Sequence, residues 1–223
     1  MIERYALYDI DKLRDRFTLT AGVPKGVKKQ YNIQPAQAVP VVLQRGDDVV
    51  MELMQWGFVP QNAKDTNSIF RYKTFVVRSE DIFKKDMWDR AVRSQRCLVP
   101  VNGFYFWSAI TGGKAAFYTE VKGQPIAALA GVYSSWTNSE GIETGMVSVV
   151  TVPANDDAID LTDRLPVIVQ PGQEKAWIDP TSNEVSPLYD TMRMAADNSL
   201  SLRRVGDGIF SKKRNDDSLI KAT

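Results

Sequence analysis

Four apolar runs follow one another between residues 96 and 152, over 96–107, 115–121, 125–134 and 144–152. Gly112-Gly113, Lys122-Gly123 and the asparagine-glycine stretch 138–141 divide them as turns. Two more apolar runs, 39–43 and 49–56, flank the turn Arg45-Gly46-Asp47-Asp48. Short strands separated by a few turn residues pair with their neighbours, and no helix-length segment alternates with each of them. The pattern argues for an α+β fold rather than a parallel α/β one. It also predicts a short helix over 9–17, with Leu13 and Phe17 on one face. A second helix capped by Ser79 runs to about Ser94, its Phe83, Met87 and Ala91 forming one row. Two further short helices fall over 174–178 and 189–196, and the tail from Ser211 is polar and lies along the surface or frays.

With 223 residues, 43% of them hydrophobic, the chain can bury a core without staples, and one domain over 1–223 is expected. The one cysteine excludes an intrachain disulfide and fits a reducing compartment. No apolar run reaches the length of a membrane span, and residues 1–4 carry no signal-peptide pattern. A cytoplasmic monomer is the resulting expectation.

Several chemistries are absent. The chain has no histidine, so imidazole-based nucleophile systems and Cys/His zinc sites are excluded. No Walker-type or dinucleotide-binding glycine motif is present, so no nucleotide cofactor, and no other cofactor or metal, is expected. Cys97, within Arg96-Cys97-Leu98-Val99-Pro100, reads as a small core residue. The net charge of +1 leaves room only for a local basic patch.

An ordered set of short motifs carries more information. It comprises Tyr31-Asn32-Ile33-Gln34-Pro35, Gln55-Trp56-Gly57-Phe58-Val59-Pro60, Arg78-Ser79-Glu80 and Arg96-Cys97-Leu98-Val99-Pro100. Gly103-Phe104-Tyr105-Phe106-Trp107, Ala130-Gly131, Thr151, Ala154-Asn155 and Asp163-Arg164-Leu165-Pro166 complete it. In this order and spacing the chain resembles the SRAP family, the SOS-response-associated peptidases or abasic-site processing proteins. The resemblance implies a compact β-rich fold, its mixed and antiparallel sheets forming a barrel-like core flanked by short helices. It also implies a positively charged cleft for single-stranded DNA, including strands that carry abasic sites. Active members hold a cysteine directly after the initiator methionine. Its amine and thiol together convert an abasic aldehyde into a thiazolidine.

The family's polar catalytic positions are occupied differently here. The cysteine position is Ile2, which is expected to leave Met1 in place, and the glycine after it is Glu3. The asparagine position is Val76, the glutamate position Phe106 and the histidine position Thr162. Thiazolidine chemistry at residue 2 is then impossible, and the resemblance implies a pseudo-enzyme.

DNA-facing positions match better. Arg78 and Arg164 correspond to phosphate-binding arginines. Trp56 and Trp107 correspond to aromatics that stack on bases, and Asn32, Pro35 and Thr151 to the cleft rim. For the tryptophans a place in the core is an equal alternative, and for Arg78 an intramolecular pair with Glu80 or another acid. Lys25, Lys28, Lys29, Lys212, Lys213 and Arg214 read as solvated surface. Two other functions stay open: amine-based Schiff-base chemistry on abasic sites, and a scaffold for protein contacts alone.

Overall fold

Thirteen strands organise the computed structural model, which describes residues 2–223 except 61, 62, 64, 111, 112 and 194–196. They are β1 (Arg4–Leu7), β2 (Gln30–Ile33), β3 (Ala38–Arg45), β4 (Asp48–Trp56), β5 (Val76–Arg78), β6 (Arg96–Val101) and β7 (Gly103–Ile110). The series continues with β8 (Gly113–Val121), β9 (Ala127–Thr137), β10 (Glu143–Pro153), β11 (Arg164–Pro166), β12 (Ile168–Val169) and β13 (Leu200–Val205).

Five strands close a barrel. β4 pairs with β3, β3 with β6, β6 with β9 and β9 with β10, all antiparallel, and a parallel β10–β4 pair completes the ring. Closure removes the free edges that an open sheet would present. Every residue of β6 is buried, as the apolar run after Arg96 requires. β5 and β11 extend the ring beside the end of β10, and β12 lies on β9. A second, wholly antiparallel sheet has the order β13-β8-β7-β1-β2.

The chain leaves the barrel for this second sheet at Asn102, between β6 and β7. The buried Asn102 amide fixes the corner. Its oxygen accepts from the Tyr8 and Asp9 backbone N–H groups at 2.7 and 3.1 Å, and its nitrogen donates to the Pro125 carbonyl at 2.7 Å. Gly103 follows because a Cβ there would come within 2.4 Å of the Tyr118 ring. The single apolar run 96–107 of the sequence is thus two strands, the second of which starts on Gly103.

Two helix expectations need correction. The helix that Ser79 should cap begins only at Asp86 and runs to Ser94, with Lys85 at its N-cap. Residues 79–85 form turns instead, because the Ser79 hydroxyl bonds Glu80 and Glu80 is drawn to Arg164. The last helix spans Val185–Thr191, earlier than the expected 189–196, of which 194–196 lie outside the described residues. The segment after Ser211 is laid down on the second sheet. Asn32 donates to the carbonyls of Ser211 and Arg214, and Leu219 is buried.

Arg96 ties the helices to the barrel. Its buried guanidinium donates to carbonyls of Val92, Arg93, Trp177, Asp179 and Ser182. Two of these close the C-terminal turn of Asp86–Ser94, where a cation also meets the negative end of the helix dipole. Burial lowers the pKa of Arg96 to about 10, which leaves it charged at neutral pH.

Candidate functional site

The end of β10 collects the expected site residues. Thr151 pairs across the sheet with Arg78 of β5 on one side and Pro166 of β11 on the other, while Pro153 opposes Arg164. The buried Thr151 hydroxyl donates to the Val77 carbonyl at 3.0 Å and accepts from Arg164 Nε at 3.0 Å. Arg164 Nη2 also donates to the Thr151 carbonyl at 2.7 Å.

Arg164 is fully engaged. Nη1 and Nη2 donate to Glu80 Oε1 and Oε2 at 2.9 and 2.7 Å, a bidentate fork. The side chain of Arg164 is 6% exposed, that of Glu80 46%. The guanidinium holds the Glu80 carboxyl down at about 2. Glu80 is therefore the partner of Arg164, whereas the sequence allowed a pair with Arg78. Arg78 is exposed, and no hydrogen bond or ion pair to its guanidinium occurs among the described residues. Of the two arginines read as phosphate ligands, Arg78 faces solvent and Arg164 braces the site from behind.

A cleft of about 460 Å³ opens beside Arg78. Arg71, Lys73, Arg78 and Lys85 supply four cations to its wall and Asp81 one acid. A neighbouring cleft of about 340 Å³ holds Glu3, Arg4, Pro35, Lys73 and Lys212. Lys73 lies between the two, its ammonium 3.7 Å from Glu3 Oε1. Lys212 is exposed, as the sequence reading of solvated surface has it, and also lines this cleft.

The remaining positions separate. Trp56 is fully buried; it meets Tyr5 edge-on at 5.1 Å and donates from Nε1 to the Phe75 carbonyl at 2.9 Å. It offers no face to a base. Trp107 is half-buried on the second sheet against Phe210, with ring centroids 5.6 Å apart. Asn32 is buried and accepts from Arg4 Nη1 at 2.7 Å while clamping the C-terminal segment. Pro35 is half-buried on the rim of the smaller cleft.

Ile2 and Phe106 are fully buried in the core, Phe106 edge-on to Phe104 at 5.2 Å. Val76 is half-buried in the wall of the larger cleft. The buried Thr162 hydroxyl donates to the Arg164 carbonyl at 3.1 Å. The expectation for Met1 lies outside the described residues. Burial raises the pKa of the Cys97 thiol, consistent with its place in β6. No cluster of three or more Asp, Glu or Cys side chains is placed to hold a metal ion among the described residues, and none of their helices is long and apolar enough to cross a membrane.

Sequence reasoning missed the exposed segment Phe70-Arg71-Tyr72-Lys73 between the clefts. Two aromatics alternating with two cations was the available signal.

Comparison with known proteins gives concordant results. The family model for SOS response associated peptidase (SRAP) matches residues 1–212. The chain is 28% identical over 225 residues to abasic site processing protein YoaM of Bacillus subtilis, across all of this chain and 98% of that protein. It is 26% identical to abasic site processing protein YMR114C of Saccharomyces cerevisiae, across 96% of this chain and 57% of that protein. A crystal structure of a protein from Bacteroides thetaiotaomicron superposes with a TM-score of 0.87 at 21% identity, covering 99% of both chains. That last likeness concerns the fold alone.

Proposed function

The chain belongs to the SRAP family, and from that premise we propose that it binds single-stranded DNA, including strands carrying abasic sites, without capturing them covalently. The observation that carries the binding is the exposed Arg78, unengaged among the described residues, in a cleft with Arg71, Lys73 and Lys85. A guanidinium free of internal partners can fork onto a phosphate, and clustered cations release counterions when a strand docks. Arg164, Glu80 and Thr151 hold β5 and β10 in the register that presents Arg78.

The absence of covalent capture is supported by chemistry at three positions. A thiazolidine needs an amine and a thiol on adjacent carbons, and Ile2 carries no thiol. Ile2 and Phe106 are buried among apolar neighbours, where a catalytic carboxylate or thiolate would lose solvation. The Thr162 hydroxyl is committed to the Arg164 backbone. On a denaturing gel, abasic strands should leave no shifted band, while fluorescence anisotropy should register binding that weakens as salt rises. Absence of binding at low salt would sink the proposal.

A second reading, capture by an amine, is favoured by one contact. Lys73 sits in both clefts with Glu3 as a nearby carboxylate. Its amine could condense with a ring-opened aldehyde, releasing water. Borohydride would then trap a covalent adduct on abasic DNA, and Lys73→Met would abolish it.

A further inference from the structure

We infer that residues 70–73 form a base-stacking ridge that reads a single strand through Phe70 and Tyr72; the inference rests on the DNA-binding reading above.

The ridge is fixed at both ends. On its N-terminal side the one-turn helix Ser68–Arg71 buries Ile69 against Gly57. A Cβ on Gly57, whose φ is +150°, would lie within 2.6 Å of the Ile69 side chain. On its C-terminal side Phe75 packs edge-on to Trp56 at 5.9 Å, and its carbonyl accepts from the indole. Between these anchors Thr74 N–H donates to the Ile69 carbonyl at 3.1 Å, and Lys73 adopts a left-handed φ of 50°. The backbone is thereby turned outward as a short, braced protrusion.

Two aromatic rings stand on that protrusion. Phe70 is 60% exposed and Tyr72 68%. Isolated exposed aromatics are ordinary, but two in one braced turn are not explained by packing. Tyr72 lines the larger cleft with Arg71 and Arg78, and Phe70 lines the smaller one with Arg4 and Lys212. Lys73 lines both. A strand crossing the ridge meets one ring on each side and cations throughout.

This alternation matches one class of ligand. A single strand presents flat π faces at regular intervals along a chain of anions, and stacking plus phosphate contact is how such strands are held without base-edge readout. An apolar protein partner would bring no counter-charge to the cations of the two clefts. The tryptophans cannot do this work, since Trp56 is buried and Trp107 packs on Phe210.

Two strands of equal length separate stacking from charge. One is an oligothymidylate; the other has the same sugar-phosphate backbone with hydrogen in place of every base. The doubly substituted protein Phe70→Ala, Tyr72→Ala should lose about tenfold or more in affinity per ring for the first strand. Its affinity for the baseless strand should equal that of the unsubstituted protein. Tyr72→Phe and Phe70→Tyr should restore binding, which a fault in folding would not allow. If the double variant binds oligothymidylate as tightly as the unsubstituted protein, or loses both strands equally, the inference is overturned. If the unsubstituted protein binds neither strand at low salt, the DNA-binding reading itself has failed. Loss of both strands in Arg78→Ala alone, with the ridge intact, supports the division of labour.

Discussion

Glu80 grips the guanidinium of Arg164 with both carboxylate oxygens, at 2.9 and 2.7 Å, and so joins the turn after β5 to β11 across the end of β10. The pair leaves Glu80 half in solvent while Arg164 is almost wholly buried. Its two partners therefore carry unequal consequences when one is removed.

Acid should weaken the protein through this carboxylate. The folded state holds Glu80 at about 2, below the roughly 4.3 of a free glutamate. The unfolded chain thus takes up the proton first. The stabilisation is complete above about pH 4.3 and is lost as pH falls toward about 2. Thermal melts followed by circular dichroism should fall through that window, with a shallower slope for Glu80→Gln. That variant should lose about 1–2 kcal/mol at neutral pH, because an exposed partner is worth less than a buried one.

Arg78→Ala and Arg164→Ala should both weaken strand binding but for different reasons. Loss of Arg78 removes one phosphate contact and should lower the salt slope of log affinity by about 0.7 without changing the melting temperature. Loss of Arg164 removes a donor from both the Thr151 hydroxyl and its carbonyl and frees Glu80, so it should cost about 2–4 kcal/mol of stability, with binding falling as a consequence. Salt titrations beside urea melts separate the two.

Arg96 should be among the least replaceable residues. Five backbone carbonyls converge on it, from two segments of chain. Arg96→Met keeps the length but withdraws a donor from all five carbonyls, and should destabilise by about 3–5 kcal/mol in urea unfolding. A loss under about 1 kcal/mol would show that water enters the site freely.

Cys97 should be silent until the barrel opens. It should not react with a thiol reagent in native buffer and should react fully in denaturant, since burial both hides the thiol and raises its pKa. Gly131→Ala, whose new Cβ would lie 2.8 Å from Cys97 Sγ, should cost about 1–3 kcal/mol and speed that labelling.

Restoring the family's groups tests the proposed loss of chemistry. Ile2→Cys, Phe106→Glu and Thr162→His together, in protein processed to begin at residue 2, should yield a covalent band with abasic DNA that the unsubstituted chain does not. Phe106→Glu alone should cost at least about 3 kcal/mol, because Phe106 is fully buried beside Phe104.

The sequence made the barrel strands legible because each bears a long apolar run with a turn at its end. β3 exceeds the expected 39–43 by Ala38 at its start and Gln44-Arg45 at its end, and β4 exceeds the expected 49–56 by Asp48 alone. The short strands β1, β2, β5 and β13 escaped, since three to six residues of mixed polarity are defined by their partners and not by a pattern of their own. At the site, residue types were readable but facing was not. Trp56 and Arg164 carry the right chemistry for DNA, yet a one-dimensional motif does not reveal that an indole donates inward to Phe75 or that an arginine is already bound. Conversely, the ridge at Phe70 and Tyr72 shows itself only when burial is known, because two exposed rings and two core rings look alike in sequence.

The parallel pairing of β10 with β4 also sets a timetable. Met146 must find Gln55 before the ring can close, and the hairpins β3–β4 and β9–β10 can form earlier by local contact. During synthesis the first hairpin waits, with β4 unpaired along the side reserved for β10, until nearly two-thirds of the chain has emerged. Closing so distant a pair is slow, and a growing chain with an apolar strand edge invites intermolecular pairing. Yield on refolding should therefore depend on protein concentration far more than native stability does, with aggregation beginning at the β4 edge.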